Sequence, residues 1–302
     1  MIAEKLNDYN HNYCYVCKRP FSEGEVVSMI QTTNGTTHLI HKECLDDLGC
    51  EIRSASNIEK NEIEESSKLW RYMDLAKFVE MLKSSSIHFS SPDCFEDIFE
   101  GAHGVETNKT IWDDYYKSFF SASIITAPDN TWHRKDADAL KENIEILLRQ
   151  ISEKHEKGVF ISCWHNNEFE SEAMWKMYAV NTKNAVAIQT TYGQLKDQLG
   201  ERTEIRKIKY IDYDNRFVGI NDEFWYKRKS FEHEREVRAL LRDFDKIGQR
   251  GINVNVDLNK LIDNVYVSPY SPTWFKEIVE DIILKYGFTF HVKDSNMNAK
   301  PF

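Results

Sequence analysis

Three groups of side chains in this sequence have the types and spacing to carry chemistry. The first pairs Cys14-Tyr-Val-Cys17 with His41-Lys-Glu-Cys44. Two thiolates separated by two residues fit a tight knuckle, and a His-x-x-Cys step suits one helical turn. Together they make the tetrahedral N/S set that Zn²⁺ takes in structural sites. Four ligands with no open position imply a structural ion, whose binding energy folds a segment too small to hold itself together. His38 and Cys50 are substitute ligands for the same pattern.

The second group runs from Phe160 to Ala179, a strand-like FISCWHN followed after an acidic break by a helix-like ESEAMWKMYA. Ser162, Cys163, Trp164, His165, Trp175 and Tyr178 put a hydroxyl, a thiol and an imidazole beside aromatic faces, the make-up of a small-molecule pocket. The plainer alternative makes Met174, Trp175, Met177 and Tyr178 the buried stripe of a helix. Ser162 and Cys163 alternate across a strand, so only one of them faces the core, and no nucleophile elbow surrounds them.

The third group is FEHEREVRALL, where Glu232, Glu234 and Glu236 alternate just before an apolar run and are predicted to share one strand face. Three such charges need solvent or nearby cations, for which Arg71, Lys229 and Arg238 are available. A glutamate at the mouth of a sheet can stabilise a developing cation or hold a sugar hydroxyl; its alternative is a salt-bridged edge face. Two smaller features join these. Arg71-Tyr72 lies in an early strand, one side chain inward and the other outward. The loop from Ser90 to Gly101 carries Asp93, Glu96, Asp97 and Glu100, with Ser91 or Asp93 placed to cap a short helix over FEDIFE.

The elements that must position these groups follow from periodicity. EVVSMIQ and THLI read as strands around an Asn34-Gly35 hairpin turn, giving the metal motif a treble-clef-like frame over residues 1–66, linker included. The segment from Glu51 to Lys68 is polar and rich in Ser and Glu, and sets a boundary near Ser66. Residues 67–302 then alternate types. LWRYM is a strand, LAKFVEMLKS an amphipathic helix and SIHFSS a strand; IWDDYYKSFFSA and DADALKENIEILLRQISEKHEK are helical. VFISCW, AVAIQT, IRKIKYIDY, EVRALLR and NVYVSP are short strands, and PTWFKEIVEDIILKYG with FTFHV closes the chain as helix and strand. Several connections lack a helical pattern, which favours an α+β fold with a mixed, largely antiparallel sheet and flanking helices.

With 302 residues and 41% hydrophobic content the chain can build a sizeable core. The net charge of −10 disfavours nucleic acid as a partner without excluding a local basic groove, such as Arg202, Arg206, Lys207 and Lys209 or Lys227, Arg228 and Lys229. The N-terminal module is itself acidic, so it is expected to bind a protein, or to dock on its own main domain, rather than DNA. No phosphate-cradling glycine loop or GxGxxG is present. No apolar run is long enough to cross a membrane, MIAEKLNDYNHN does not read as a signal peptide, and a cytoplasmic location with reduced thiols is expected.

Taken in order, LWRYMDLAKFVEMLKSSSIHFSSPDCFEDIFEG, FISCWHNNEFESEAMWKMYA and KSFEHEREVRALL resemble a widespread bacterial family known only as a domain of unknown function, over roughly Leu69 to Phe288. The same order is similar, more distantly, to the ADP-ribosyltransferase fold. That resemblance implies an NAD-consuming enzyme, as in a toxin or anti-phage effector, with NAD as substrate. It implies Arg71 and Ser162 at the first two site positions, Tyr178 as the aromatic against nicotinamide, and Glu236 or Glu234 as the catalytic acid. Tyr72, Trp175 and Lys229 would complete the nucleotide contacts. Ser-Cys-Trp stands where that family has Ser-Thr-Ser. The readings from other classes are a non-catalytic sensor whose zinc module recruits a partner, and a metal-dependent nuclease using Asp93, Asp97, Glu234 and Glu236.

Overall fold

The computed structural model describes residues 14, 19–20, 27–31, 37–41, 53–54, 63–110, 113, 158–179, 183–214, 216–218 and 222–302. Contacts group the chain into two units, one of Met1–Ser56, His103–Glu153 and Asp212–Ile220, the other of Asn57–Ala102, Lys154–Ile211 and Asn221–Phe302. The chain therefore passes between units several times, where the sequence suggested a single boundary near Ser66.

In the first unit, β1 (Val27–Gln31) and β2 (Thr37–His41) form the expected antiparallel hairpin, from Val27 opposite His41 to Gln31 opposite Thr37. β3 (Arg53–Ser54) pairs in parallel with β10 (Arg216–Phe217). The two long helical patterns between Ile111 and Lys157 lie outside the described residues, apart from Asp113.

The second unit is an α+β fold around a nine-stranded, mostly antiparallel sheet. β4 (Lys68–Asp74), α1 (Leu75–Ser84) and β5 (Ser86–Ser90) follow the predicted pattern. Asp74 caps α1 by accepting from the Lys77 amide, and Ser85 ends it in the left-handed region. Then come β6 (Val159–Asn166), α2 (Glu172–Ala179), β7 (Ala185–Thr191) and α3 (Tyr192–Leu199), the last opened by a Thr191–Gln194 capping box. The predicted IRKIKYIDY strand breaks at Ile208 into β8 (Thr203–Lys207) and β9 (Lys209–Ile211). β9 leaves the sheet to pair with β11 (Tyr226–Arg228). β12 (Glu236–Arg242), β13 (Gly251–Asn255), α4 (Leu258–Leu261), β14 (Asn264–Val267), α5 (Trp274–Lys285) and β15 (His291–Asp294) complete the unit.

Alternation divides the sheet into two chemically different faces. Leu69, Met73, Phe160, Trp164, Val186, Ile188, Val237 and Ala239 point into the main core, where α1 adds Phe78 and Leu82 and α5 adds Phe275, Val279 and Ile283. Each such large side chain, fully buried, contributes about 1.5–3 kcal/mol. The opposite face carries Trp70, Tyr72, Ala185, Ala187 and Tyr266, with Met174 and Trp175 of α2 laid on them. The two alanines of β7 leave room for Trp175.

The sheet forks at β6. β12 runs along one edge of β6, from Glu236 opposite His165 to Arg242 opposite Val159. The other edge is shared: β4 pairs only at His165 and Asn166, and β5 only at Ile161. Beyond that contact β4 turns away to pair with β7 over its full length, so Ser162 to Trp164 lie where two strands diverge.

Candidate functional site

Glu236 opens β12, and Arg238 follows on the same face, opposite His165 and Cys163 of β6. Arg238 is fully buried and saturated: Nε and Nη2 donate to the two carboxylate oxygens of Glu236 at 2.7 and 3.2 Å, Nη2 to Glu100 Oε2 at 3.1 Å, and Nη1 to the Phe224 carbonyl at 2.7 Å and to Glu100 Oε1. From the middle of β11, Lys227 Nζ donates to Glu234 Oε2 at 2.6 Å and lies 3.1 Å from Glu236 Oε2. The Glu236 amide donates to the Tyr210 hydroxyl at 2.7 Å. Buried charges persist only when paired and hydrogen-bonded, as this guanidinium is.

The two carboxylates that share Arg238 shift in opposite directions. Burial alone would push Glu236 up, but Arg238 and Lys227 together hold it at about 2. Glu100 is raised by burial, with Arg238 opposing and Glu236 adding to the rise. Two cations pair with Glu236, whereas among the described residues Arg238 alone pairs with Glu100. Burial works against the charge on Lys227 and Arg238 as well, yet the glutamates raise both. Burial and the neighbouring Glu236 carboxylate push the Cys163 thiol well above its ordinary value. A thiol raised in this way stays protonated, the opposite of what a nucleophile needs.

Glu234 differs from Glu236. The three glutamates predicted to share a strand face do not. Lys229–Glu234 is a 3-10 segment ended by Arg235 at φ 42° and ψ 48°, so only Glu236 belongs to the strand. The run KSFEHE turns back because Lys227 draws Glu234 and Glu236 to one ammonium, which an extended alternation would not need. Both oxygens of Glu236 are engaged and the residue is 3% exposed, whereas Glu234 commits Oε2 alone and keeps 14% of its side chain accessible.

Arg71 stands at the fork. Its Nη2 donates to the His88 carbonyl on β5 at 2.8 Å, bridging the diverging strands, and its guanidinium lies 5.6 Å from the Trp164 ring centroid. Among the described residues no carboxylate lies within ion-pair distance of it. Burial lowers Arg71, and only Cys163 and Tyr178 oppose that. Tyr178, 39% exposed, stacks on Tyr72 at 6.3 Å. Its hydroxyl is pushed up to about 12, chiefly by burial and then by Cys163, with Arg71, Glu234 and Glu236 all within electrostatic range. One part of the ring is thus open while the hydroxyl faces the ion cluster.

Tyr178 thus lies within electrostatic range of Arg71, Glu234 and Glu236, while other expected members stand apart. Trp175 is wholly buried, edge-on to Tyr72 at 4.9 Å, with Nε1 donating to Glu170 at 2.9 Å; it is core rather than a stacking floor. Tyr72 is likewise buried, its hydroxyl accepting from the Ser171 amide. Ser162, opposite Ala239, points into the main core beside Phe160 and Trp164, away from the glutamate face. Lys229 is exposed, and Lys227 takes the place expected for it. No helix forms over FEDIFE; a 3-10 turn at Pro92–Cys94 precedes a turn that drops Glu100 onto Arg238. Lys227 and Glu100 were visible only as members of a basic cluster and an acidic loop. The one signal linking them was that buried glutamates need cations.

His165 was noted without a role. Its Nδ1 donates to the Glu234 carbonyl at 2.5 Å, and its ring meets Tyr72 edge-on at 6.1 Å. Burial lowers its pKa, the carbonyl bond opposes this, and Arg235 and His233 reinforce it.

Of the proposed metal ligands, Cys14 and His41 are both buried, and the His41 amide donates to Cys14 Sγ at 3.3 Å. Cys17 and Cys44, with the substitute Cys50, lie outside the described residues. No group of three potential ligands occurs among the described residues, and no helix there is long and apolar enough to cross a membrane. No family model matches this chain, and no curated protein matches it either.

Proposed function

We propose that the larger unit binds NAD⁺ at the sheet fork and breaks its nicotinamide–ribose bond, as an ADP-ribosyltransferase or NAD glycohydrolase does. The observation that supports this best is the distribution of uncompensated charge. Glu100, Glu234 and Glu236 outnumber Lys227 and Arg238 by one negative charge, while Arg71 carries a positive charge with no carboxylate beside it among the described residues. A ligand with an anionic pyrophosphate and a cationic pyridinium matches both ends. Arg71 would take the phosphate through charge-assisted hydrogen bonds, and the open part of Tyr178 would lie against the nicotinamide.

In this reading the glutamates divide the work. Glu236, kept ionised by two cations, anchors Lys227 and the head of β12. Glu234, with one uncommitted oxygen, faces the ribose, orients a hydroxyl and stabilises the oxocarbenium-like charge that grows as the glycosidic bond breaks. The test is to incubate the pure protein with NAD⁺, with and without cell extract, and follow nicotinamide release. Loss of release in Glu234→Gln supports the reading; no release from the native protein under any condition refutes it.

A second reading, a non-catalytic sensor, is favoured by the completeness with which Arg238 satisfies its partners, as a purely structural cluster would. It expects no thermal shift with NAD⁺ and a stable protein partner in pull-downs. A metal-dependent nuclease has less support. Asp97 is held by Arg228 at 2.6 Å, and both oxygens of Glu236 are taken by Arg238 and Lys227, so two of its four proposed ligands are already engaged.

In the smaller unit we assign Cys14, Cys17, His41 and Cys44 to one structural Zn²⁺. The amide-to-thiolate hydrogen bond from His41 to Cys14 supports this, since it favours the deprotonated sulfur that a metal needs. The ion would stabilise the fold around the hairpin.

A further inference from the structure

We propose that His165 is a latch that, in its neutral form, holds the Lys229–Arg235 segment and the Glu234 carboxylate in place, and that protonation of His165 releases them. This rests on the reading above only in taking Glu234 as the ligand-facing glutamate.

The geometry is specific. A carbonyl oxygen can only accept, so the 2.5 Å contact places the proton of a neutral imidazole on Nδ1 and leaves a lone pair on Nε2. His165 is 2% exposed, and Nε2 is buried without a hydrogen-bond partner among the described residues. A second proton would therefore create both a buried charge and an unsatisfied donor.

The groups around the ring give that charge little help. Tyr72 of β4 meets it edge-on, and Cys163 lies two residues along β6 on the same face. Glu236, directly opposite on β12, is already claimed by Arg238 and Lys227, and Glu234 by Lys227. From the 3-10 segment, Arg235 and His233 both oppose a positive charge. Acid therefore favours expulsion of the imidazole over its accommodation.

The segment it holds is under tension. Arg235 occupies the left-handed region, which costs a non-glycine residue energy. Besides the His165 bond, four contacts help to keep it there, the first a hydrogen bond from the Arg235 amide to the Glu232 carbonyl at 3.2 Å. The Asn166 amide donates to the Arg235 carbonyl at 3.0 Å, Arg235 Nη1 donates to Asn167 Oδ1 at 3.1 Å, and Lys227 holds Glu234. Losing the imidazole bond removes the tie nearest the strained residue.

The test is amide exchange on the full-length protein between about pH 7.5 and 4.5, corrected for the intrinsic pH dependence of exchange, with NAD⁺ binding measured in parallel by calorimetry. In the native protein, protection of the Asn166 and Arg235 amides should fall below pH 6.5, by up to roughly tenfold per unit, while the centre of β12 stays protected. His165→Asn, which keeps an N–H donor near the Nδ1 position but does not titrate, should show flat protection, and His165→Ala should be open throughout. Flat protection in the native protein, or a His165→Asn profile that follows it, overturns the latch. If NAD⁺ binds at no pH, the functional reading fails while the exchange data still decide the latch.

Discussion

Arg238 is the residue whose loss would cost most. Arg238→Met leaves Glu100 and Glu236 buried without their shared cation, and breaking such a pair costs about 3–5 kcal/mol, to be read from urea unfolding midpoints. Arg71→Gln should behave in the opposite way. It gives up one bridging hydrogen bond worth about 1 kcal/mol, yet should weaken NAD⁺ binding about tenfold or more, measured by calorimetry. Equal affinity in that variant would remove Arg71 from the site. The acid response is split by sign. Glu236, held at about 2 against an ordinary 4.5, stabilises the fold above pH 4.5, and that contribution is lost as pH falls from there towards 2. Glu100, raised by burial, works in reverse, contributing in acid and losing that contribution as pH rises. Glu100→Gln should therefore abolish a gain in stability that the native protein makes as pH falls from neutral towards about 4.5, measured as the shift in unfolding midpoint. The sequence made the charges visible and hinted at Arg238 as a counter-ion, because like charges at alternate positions demand one. It could not show that Lys227 serves two glutamates, since that depends on β9 and β11 pairing outside the main sheet.

Among the elements, the turn ahead of the ion cluster is the most exacting. Gly101 has φ 78°, and a Cβ there would stand 2.8 Å from the Phe224 ring. Gly101→Ala thus combines left-handed strain with a clash against the residue whose carbonyl caps Arg238. A loss of about 1–3 kcal/mol is expected in thermal or urea unfolding. At the end of β4, Asp74→Ala removes the α1 cap and should cost about 1 kcal/mol. The elements themselves were largely legible. Short apolar runs marked β4, β6, β7 and β12, and helical spacing marked α1, α2 and α5. The errors fell where a tertiary partner overrode a local pattern. Glutamate alternation read as strand became a 3-10 turn under the pull of Lys227, and Trp175, read as an exposed stacking surface, was covered because Ala185 and Ala187 leave a hollow for it.

At the scale of the whole molecule, the pairing of the two N-terminal strands was legible from the Asn34-Gly35 dipeptide in the sequence between them, while half of the proposed zinc ligands lie outside the described residues. Metal analysis of the purified protein should find about one zinc per chain, reduced in Cys14→Ser, as a closed four-ligand structural site requires. The forked sheet was not legible at all, because no local pattern announces that two strands will share one edge of a third. Its consequence is mechanical. The Arg71 side chain is a stitch across a seam, tying β4 and its neighbours to the flap made by β5 and β13 through the His88 carbonyl. An anion that drew the guanidinium towards itself would slip that stitch, so occupancy of the site and the stiffness of a sheet edge become one variable.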